Sequence, residues 1–294
     1  MKKALVLYSG GLDSRLVIRM LQDQDFEVEA LYFALPFGCS CTTCKKMDNL
    51  KITTLDVTKE PLLSGYLDLL KHPKFGTGSG INPCKDCKIF MFKKAKEYAD
   101  ENGIEIIATG EVLGQRPMSQ IPSAMKTIDE TLGFEILRPL SANLLKETEA
   151  EKKGLVDRTK LLEIVGRGRK EQMALAEKYK IKYPTPGGGC LLCEKKPAVR
   201  LKNLLEKNLI TEETLPLTMI GRHFYIDNIW FVVARGEEES KIISKFKNHI
   251  EDDFGKPAVY YSKESGRQKA LELQVAYSTG DNEELREKFK EVKL

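Results

Sequence analysis

The chain has 294 residues, of which 41% are hydrophobic and 31% charged, and 47 Lys and Arg against 43 Asp and Glu give a net charge of +4. This supports a true core and a charged surface in one large or two medium domains. It contains no apolar run long enough for a membrane-spanning helix, and its mild basicity permits a local nucleic-acid patch without requiring one.

Residues 3–9 read as a strand, after which the chain turns polar too early for a signal peptide, so a cytoplasmic location is expected. A helix is expected over 14–24, strands over 28–35 and 50–57, and a helix over 61–70. The Gly/Pro-rich stretch FGTGSGINP leads to Cys84, and Cys87 to Asn102 reads as a helix with Ile89, Phe92, Ala95 and Tyr98 on one side. Strands are expected at 105–109 and 134–139. Alternating strands and helices predict an α/β fold, a doubly wound parallel sheet with ligands at the carboxyl ends of its strands, where Ser9, Thr109 and Leu140 fall. Residues 141–183 read as helical and charged, with a basic turn at Gly166-Arg167-Gly168-Arg169-Lys170. From residue 198 the pattern changes to the strand-like runs HFYIDNIWFVVAR and AVYYS, with helical segments at 240–249 and 283–292. The expected division is therefore a 1–197 catalytic domain and a smaller α+β domain over 198–294. His223 reads as structural.

Ser9-Gly10-Gly11-Leu12-Asp13-Ser14 lies between a buried-type strand and a helix. Such a turn aims backbone N–H groups and the positive end of a helix at one point, which suits a pyrophosphate. The glycines allow close approach and positive φ. Ser9 and Ser14 add hydroxyls, Ser14 also being a candidate helix cap, and Asp13 suits a bridging Mg²⁺. The motif lacks the Gly-Lys-Ser/Thr of a Walker loop. SGGLDS resembles the PP-loop of the ATP pyrophosphatase superfamily, with an adenine nucleotide alpha hydrolase-like fold. That resemblance implies ATP cleaved between its α- and β-phosphates and a substrate carbonyl oxygen adenylated.

The seven cysteines fall in three clusters: Cys39, Cys41 and Cys44; Cys84 and Cys87; Cys190 and Cys193. Clustering of this kind points to metal, iron–sulfur or thiol chemistry rather than disulfides. A thiol at a helix start between lysines is expected to have a lowered pKa. Asn82-Pro83-Cys84-Lys85-Asp86-Cys87-Lys88 resembles the NPxxxCN stretch of the tRNA 2-thiouridine synthases, with Lys88 in place of the Asn. The resemblance makes Cys87 catalytic. Thr109-Gly110-Glu111-Val112-Leu113-Gly114-Gln115, with Ser119 and Gln120, resembles the TGExLGQ segment of the tRNA 4-thiouridine synthetases, which makes Gly110 and Gln115 nucleotide-site residues. The same relatives imply a late cysteine, Cys190, working either as a partner to a Cys87 persulfide or with Cys84 and Cys87 as ligand to a 4Fe–4S cluster having one open iron. Two further readings stay open: zinc held by Cys39, Cys41 and Cys44 with Cys193, and zinc held by Cys41, Cys44, Cys190 and Cys193 with Cys84 and Cys87 left for catalysis.

The resemblance as a whole implies an ATP-dependent tRNA sulfurtransferase using ATP and Mg²⁺, with Asp13, Cys87 and Cys190 catalytic. It covers about residues 1–195 and includes no rhodanese-type segment, so sulfur is expected from sulfide or a persulfide supplied by a cysteine desulfurase. The remaining domain is expected to contact RNA or form a homodimer. Rival readings are a PP-loop amide or nitrile synthase with structural zinc, and a non-catalytic RNA-binding or redox module.

Overall fold

The computed structural model describes residues 2–38, 47, 50–185 and 189–294, and the chain divides into two compact units, Met1–Cys193 and Glu194–Leu294. The first unit runs β1 (Lys2–Leu7), α1 (Leu12–Gln22), β2 (Phe26–Ala34), β3 (Lys51–Asp56), α2 (Leu62–Lys71), α3 (Cys84–Glu101), β4 (Ile106–Thr109), α4 (Pro122–Leu132), α5 (Glu149–Lys152) and α6 (Lys170–Lys178). Its sheet has the order β3-β2-β1-β4 with every neighbouring pair parallel.

Both faces of this sheet are covered, and the alternation of side chains along β1 decides which residue goes where. Ala4, Val6 and Tyr8 pack with Leu12, Leu16 and Val17 of α1 and Ala176 of α6. Leu5 and Leu7 point the other way, onto Ile89, Phe92, Ala95 and Ala99 of α3 and Ile128 and Leu132 of α4. The result is a doubly wound α/β sheet. The chain leaves β1 toward β2 and β3, then returns to lay β4 on the other side of β1. The crevice outside the carboxyl ends of β1 and β4 is thus the topological switch point, where open sheets of this kind bind ligands. Leu7 and Thr109 are register partners at its floor.

Two expectations are corrected. The stretch 134–139 is not a full strand: only Leu137 joins the edge of β4, donating to the Ile107 carbonyl at 2.9 Å and accepting from the Thr109 N–H at 3.0 Å. Residues 141–183 are mostly loop. Within them α5 is a single capped turn, with Thr148 and Glu151 forming a capping box. Gly154 and Gly166, at φ +67° and +85°, break the helical path on either side of the Val156–Ile164 stretch. This segment is held by buried Leu140, Ala142, Val156, Leu161 and Ile164 rather than by helical hydrogen bonds. Among the described residues, no helix is long and apolar enough to cross a membrane.

The second unit contains α7 (Lys195–Glu206), β5 (Arg222–Ile226), β6 (Ile229–Val233), α8 (Glu237–Ile243), β7 (His249–Ile250), β8 (Val259–Tyr261), α9 (Arg267–Ala276) and α10 (Glu283–Glu287). Its antiparallel sheet is ordered β5-β6-β8-β7. The run HFYIDNIWFVV is a hairpin whose two-residue turn, Asp227-Asn228, has φ of +48° and +60°, the conformation that matches strand twist. Phe224, Phe231, Val233, Val259 and Tyr261 pack on Ala270, Leu273 and Ala276 of α9.

His223 is 1% exposed beneath this hairpin. Its Nδ1 accepts from the Trp230 indole N–H at 3.1 Å, so its Nε2 donates to the Ile220 carbonyl at 2.7 Å. Burial, with Arg200 nearby, pushes its pKa down to about 3. The folded state therefore refuses a proton that the unfolded chain accepts near its ordinary value of about 6.5. Stability contributed by this site is present above that value and is lost as pH falls from about 6.5 toward 3. Thermal unfolding of wild type against His223→Gln across this range is expected to show a steeper acid loss in wild type.

Candidate active site

The SGGLDS turn follows β1 directly, and Gly10 adopts φ +77°. Gly11 is the N-cap of α1 and makes no side-chain cap bond, so Ser14 is not the cap: its hydroxyl turns back to donate to the Gly11 carbonyl at 3.0 Å and lies 3.3 Å from the Ser9 hydroxyl. The Gly11 N–H makes only a 3.3 Å bond to Ser9 Oγ. Arg15 is buried behind the loop and its Nε donates to the Gly10 carbonyl at 3.0 Å, fixing the turn from below. A short polar cradle at the positive end of an eleven-residue helix is the outcome.

Asp13 projects from this cradle toward the loop after β4. Gln115 Nε2 donates to Asp13 Oδ2 at 3.2 Å, while Oδ1 is buried without a hydrogen-bond partner. Burial raises the Asp13 pKa, opposed by Gln115 and by the positive charges of Arg169 and Arg116. A buried carboxylate oxygen with no donor, at an anion-binding turn, fits a hard cation such as Mg²⁺. Gly110 stands directly against the loop: a Cβ there would lie 2.7 Å from the Asp13 carbonyl carbon and from the Ser14 nitrogen. Its part is close backbone approach, which the sequence did not reveal.

Glu111, next along, is 1% exposed. It ion-pairs with Arg138 at 3.1 Å and with Lys88 at 3.3 Å, and Arg138 also grips Asp129 through both terminal nitrogens. Burial alone would raise the Glu111 pKa, but Lys88 and Arg138 together hold it below the ordinary carboxylate value. This pins α3, α4 and the β4 loop to one another. Removing one member of such a network leaves buried charge uncompensated. Glu111→Ala is expected to cost about 3–5 kcal/mol of stability in urea unfolding, whereas Glu97→Ala, on an exposed pair, is expected to change little.

The cysteines gather beside this network. Cys84 opens α3 and accepts from Asn82 Nδ2 at 3.3 Å. Cys87, one turn on, lies 3.9 Å from the buried hydroxyl of Tyr66. Cys190 and Cys193 arrive on a loop tied down by Leu191 N–H to the Phe37 carbonyl and Ile81 N–H to the Leu192 carbonyl, at 3.1 and 3.0 Å. The fields of Cys84 and Cys87 reach Cys190, and the Cys193 thiol interacts with both Cys84 and Cys190. Two CxxC pairs distant in sequence therefore share one spot, and all four cysteines are free thiols.

The expected lowered pKa of Cys87 is corrected. Burial pushes it up to about 11, overriding Tyr66 and Lys88, which act the other way. Cys190 is pushed up to about 12 by burial, with the neighbouring thiols adding to the rise. Among the described residues, no group of three or more His, Cys, Asp or Glu side chains is arranged to hold a metal ion. Cys41 and Cys44, assigned to zinc in two of the readings, lie outside the described residues.

The charge of Arg116, in the loop after β4, favours the ionised form of both Asp13 and Cys193. Gln115 meets Asp13 at the SGGLDS turn, and the four thiols lie near one another in the same unit.

The family model described as thiamine biosynthesis protein (ThiI) matches residues 1–148. A probable tRNA sulfurtransferase of Mycoplasmopsis synoviae is 32% identical over 151 residues, covering 47% of this chain and 37% of the relative. Another, of Halothermothrix orenii, is 29% identical over 140 residues, covering 47% and 35%. The chain spans little more than a third of these curated relatives. A solved structure described as a predicted subunit of tRNA methyltransferase from Methanocaldococcus jannaschii aligns over 72% of this chain and 91% of its own, at 15% identity and a TM-score of 0.40.

Proposed function

The chain belongs to the thiamine biosynthesis protein (ThiI) family, and on that footing we propose that it is an ATP-dependent tRNA sulfurtransferase acting on a base carbonyl, that of a uridine. What supports the reading is the SGGLDS turn with its Asp13–Gln115 contact together with the convergence of two CxxC pairs in the same unit, the charge of Arg116 reaching both Asp13 and Cys193. An enzyme that only adenylates needs the first. An enzyme that replaces oxygen by sulfur needs both.

In this reading Ser9, Gly10, Gly11 and Ser14 grip the β- and γ-phosphates of ATP through backbone N–H and hydroxyl donors. Asp13, steadied by Gln115, would hold the Mg²⁺ that offsets the charge of the departing pyrophosphate. Gly110 keeps the loop seated, and Arg116 and Arg169 add positive charge at the same place. The base carbonyl oxygen attacks the α-phosphorus, pyrophosphate leaves, and the base becomes an O-adenylate. Sulfur then adds to the carbonyl carbon, and AMP departs with the original oxygen. The base has to leave its stack to reach the rim.

Two sulfur carriers suit the thiols. Cys84, Cys87 and Cys190 are the thiols that would hold a 4Fe–4S cluster, which would supply delivery of sulfide, although as they stand they are not arranged as a metal site. In the alternative, Cys87 carries a persulfide whose outer sulfur attacks the base. Cys190 then attacks the inner sulfur, freeing the thiolated base and leaving a Cys87–Cys190 disulfide for a cellular thiol to reduce. Zinc on Cys193 with Cys41 and Cys44 belongs to the same set of readings; the interaction of Cys193 with Cys84 argues for one shared thiol set instead. The partners are tRNA and a sulfur donor, either sulfide or a desulfurase-derived persulfide, in the cytoplasm, with the second unit serving RNA contact or dimerisation.

The test is anaerobic incubation with tRNA, ATP, Mg²⁺ and either sulfide or a cysteine desulfurase with cysteine, then mass spectrometry of the digested tRNA, alongside iron, sulfide and zinc assays. The reading expects an ATP-dependent thionucleoside and a broad visible absorption lost in Cys84→Ala and Cys87→Ala. A colourless protein whose zinc survives both substitutions overturns the cluster. Absence of any thionucleoside with either sulfur source overturns the function.

A further inference from the structure

We propose that Arg200, Arg222 and Arg235 form a phosphate-binding site in the second unit. The three residues come from different elements. Arg200 lies on α7, Arg222 opens β5, and Arg235 follows β6. The β5–β6 register sets Arg222 opposite Val233, which brings the Arg235 segment alongside. Each guanidinium acts on another: Arg235 bears on both Arg200 and Arg222.

Three like charges held together require an explanation, because the natural partners of arginine are missing. Among the described residues, no carboxylate lies within ion-pair distance of Arg200, Arg222 or Arg235. The nearest acid in this field is Glu239, and its Oε2 accepts from the Arg235 backbone N–H at 2.6 Å rather than from a guanidinium. Arg200 Nε is buried with no hydrogen-bond partner, a state that costs free energy in a polar group, and more in a charged one. Burial and the neighbouring Arg235 both act against the charge of Arg200 and of Arg222. Arginine does not escape by losing its proton, so the buried Arg200 Nε–H is left for an anion to satisfy, with the exposed Arg235 at the mouth where one could enter.

The geometry also fixes one fork in advance. Arg222 lies over the ring of Tyr277 at 5.1 Å, with Arg286 at 5.7 Å from the same ring. Arg222 Nη1 donates to the Ala234 carbonyl at 3.3 Å. Arg286 is already committed to the Ala276 and Ser278 carbonyls, so it backs the stack rather than joining the site. A guanidinium held over an aromatic ring loses less freedom on binding a tetrahedral oxyanion. The group that satisfies several arginine forks at once is a phosphate. Its source is either a phosphodiester of RNA or a free phosphate such as a nucleotide. Only the RNA source rests on the reading of a tRNA substrate. The site itself stands on the second unit alone, and binding is read without ATP or sulfur transfer.

The experiment uses the full-length protein, Arg200→Gln and Arg235→Gln, with Lys269→Gln, a surface residue paired to Glu272, as control. Binding of a tRNA transcript is measured across a salt series, and thermal unfolding is measured with and without inorganic phosphate. The site predicts that each arginine variant binds tRNA about fivefold or more weakly and that the slope of log K against log salt drops by about one. It predicts that phosphate raises the Tm of wild type and of the control more than that of either variant, while the variants without phosphate melt no lower than wild type. Loss of the phosphate response with tRNA binding unchanged assigns the site to a free phosphate. Unchanged tRNA binding together with an unchanged phosphate response overturns the proposal.

Discussion

Gly110→Ala weakens ATP binding by tenfold or more, and Gly110→Val destabilises the first unit as well. The reason is a contact between main chains. The new Cβ would stand 2.7 Å from the Asp13 carbonyl carbon and the Ser14 nitrogen, closer than any real packing. Neither neighbour is a flexible side-chain end, so either the β4 loop or the first turn of α1 has to shift. A shift of α1 moves the Gly11 N–H and Asp13 away from the geometry a pyrophosphate needs, and it breaks the 3.2 Å Gln115–Asp13 bond. Overpacking of this kind costs about 1–3 kcal/mol, and valine adds bulk in the same space. Gly236→Ala serves as control, since nothing lies within 4 Å of the added methyl. Isothermal titration with a non-hydrolysable ATP analogue, paired with urea unfolding, separates lost binding from lost fold. Unaltered affinity in Gly110→Ala would show that the cradle does not depend on this contact.

Cys87→Ala is expected to abolish thionucleoside formation, by at least about a thousandfold, because it removes the reacting or ligating sulfur rather than a supporting contact. Adenylation is expected to persist, since the PP-loop and Asp13 are untouched. The variant should therefore still exchange labelled pyrophosphate into ATP when tRNA is present. Cys193→Ala, at an exposed position, should lose less. If Cys87→Ala thiolated tRNA at the wild-type rate, sulfur would have to travel by another route.

The strand–glycine turn–helix unit at SGGLDS was legible in the sequence because everything it needs is local: a buried strand, two glycines and a helix start within a few residues. The doubly wound sheet was legible for the same reason, from alternating periodicities. What escaped were contacts between distant segments. Gly110 read as a wall of the nucleotide site, and only the return of β4 beside β1 turns it into a wedge against Asp13. Glu111 gave no sign of its ion pairs, because Lys88 and Arg138 lie on other elements. Cys87 was expected to be acidic from its lysine neighbours and helix start, yet it sits half-buried beside Tyr66, and desolvation outweighs the lysines. Residues 141–183 carry a helical composition. Their glycines at positive φ and scattered apolar anchors make them a chain of short turns instead. The cysteine pairs were visible as pairs, while their convergence depends on how the Cys190 loop is tied to Phe37 and Ile81.

The central claim is that one carbonyl oxygen is first adenylated and then replaced by sulfur. The most direct test labels that oxygen. tRNA carrying ¹⁸O at its uridine carbonyls is incubated with the protein, ATP, Mg²⁺ and the sulfur source that supports turnover, and the AMP and nucleosides are weighed by mass spectrometry. The account predicts one ¹⁸O in each AMP for every thionucleoside formed. Unlabelled AMP, or ADP in place of AMP, would contradict it.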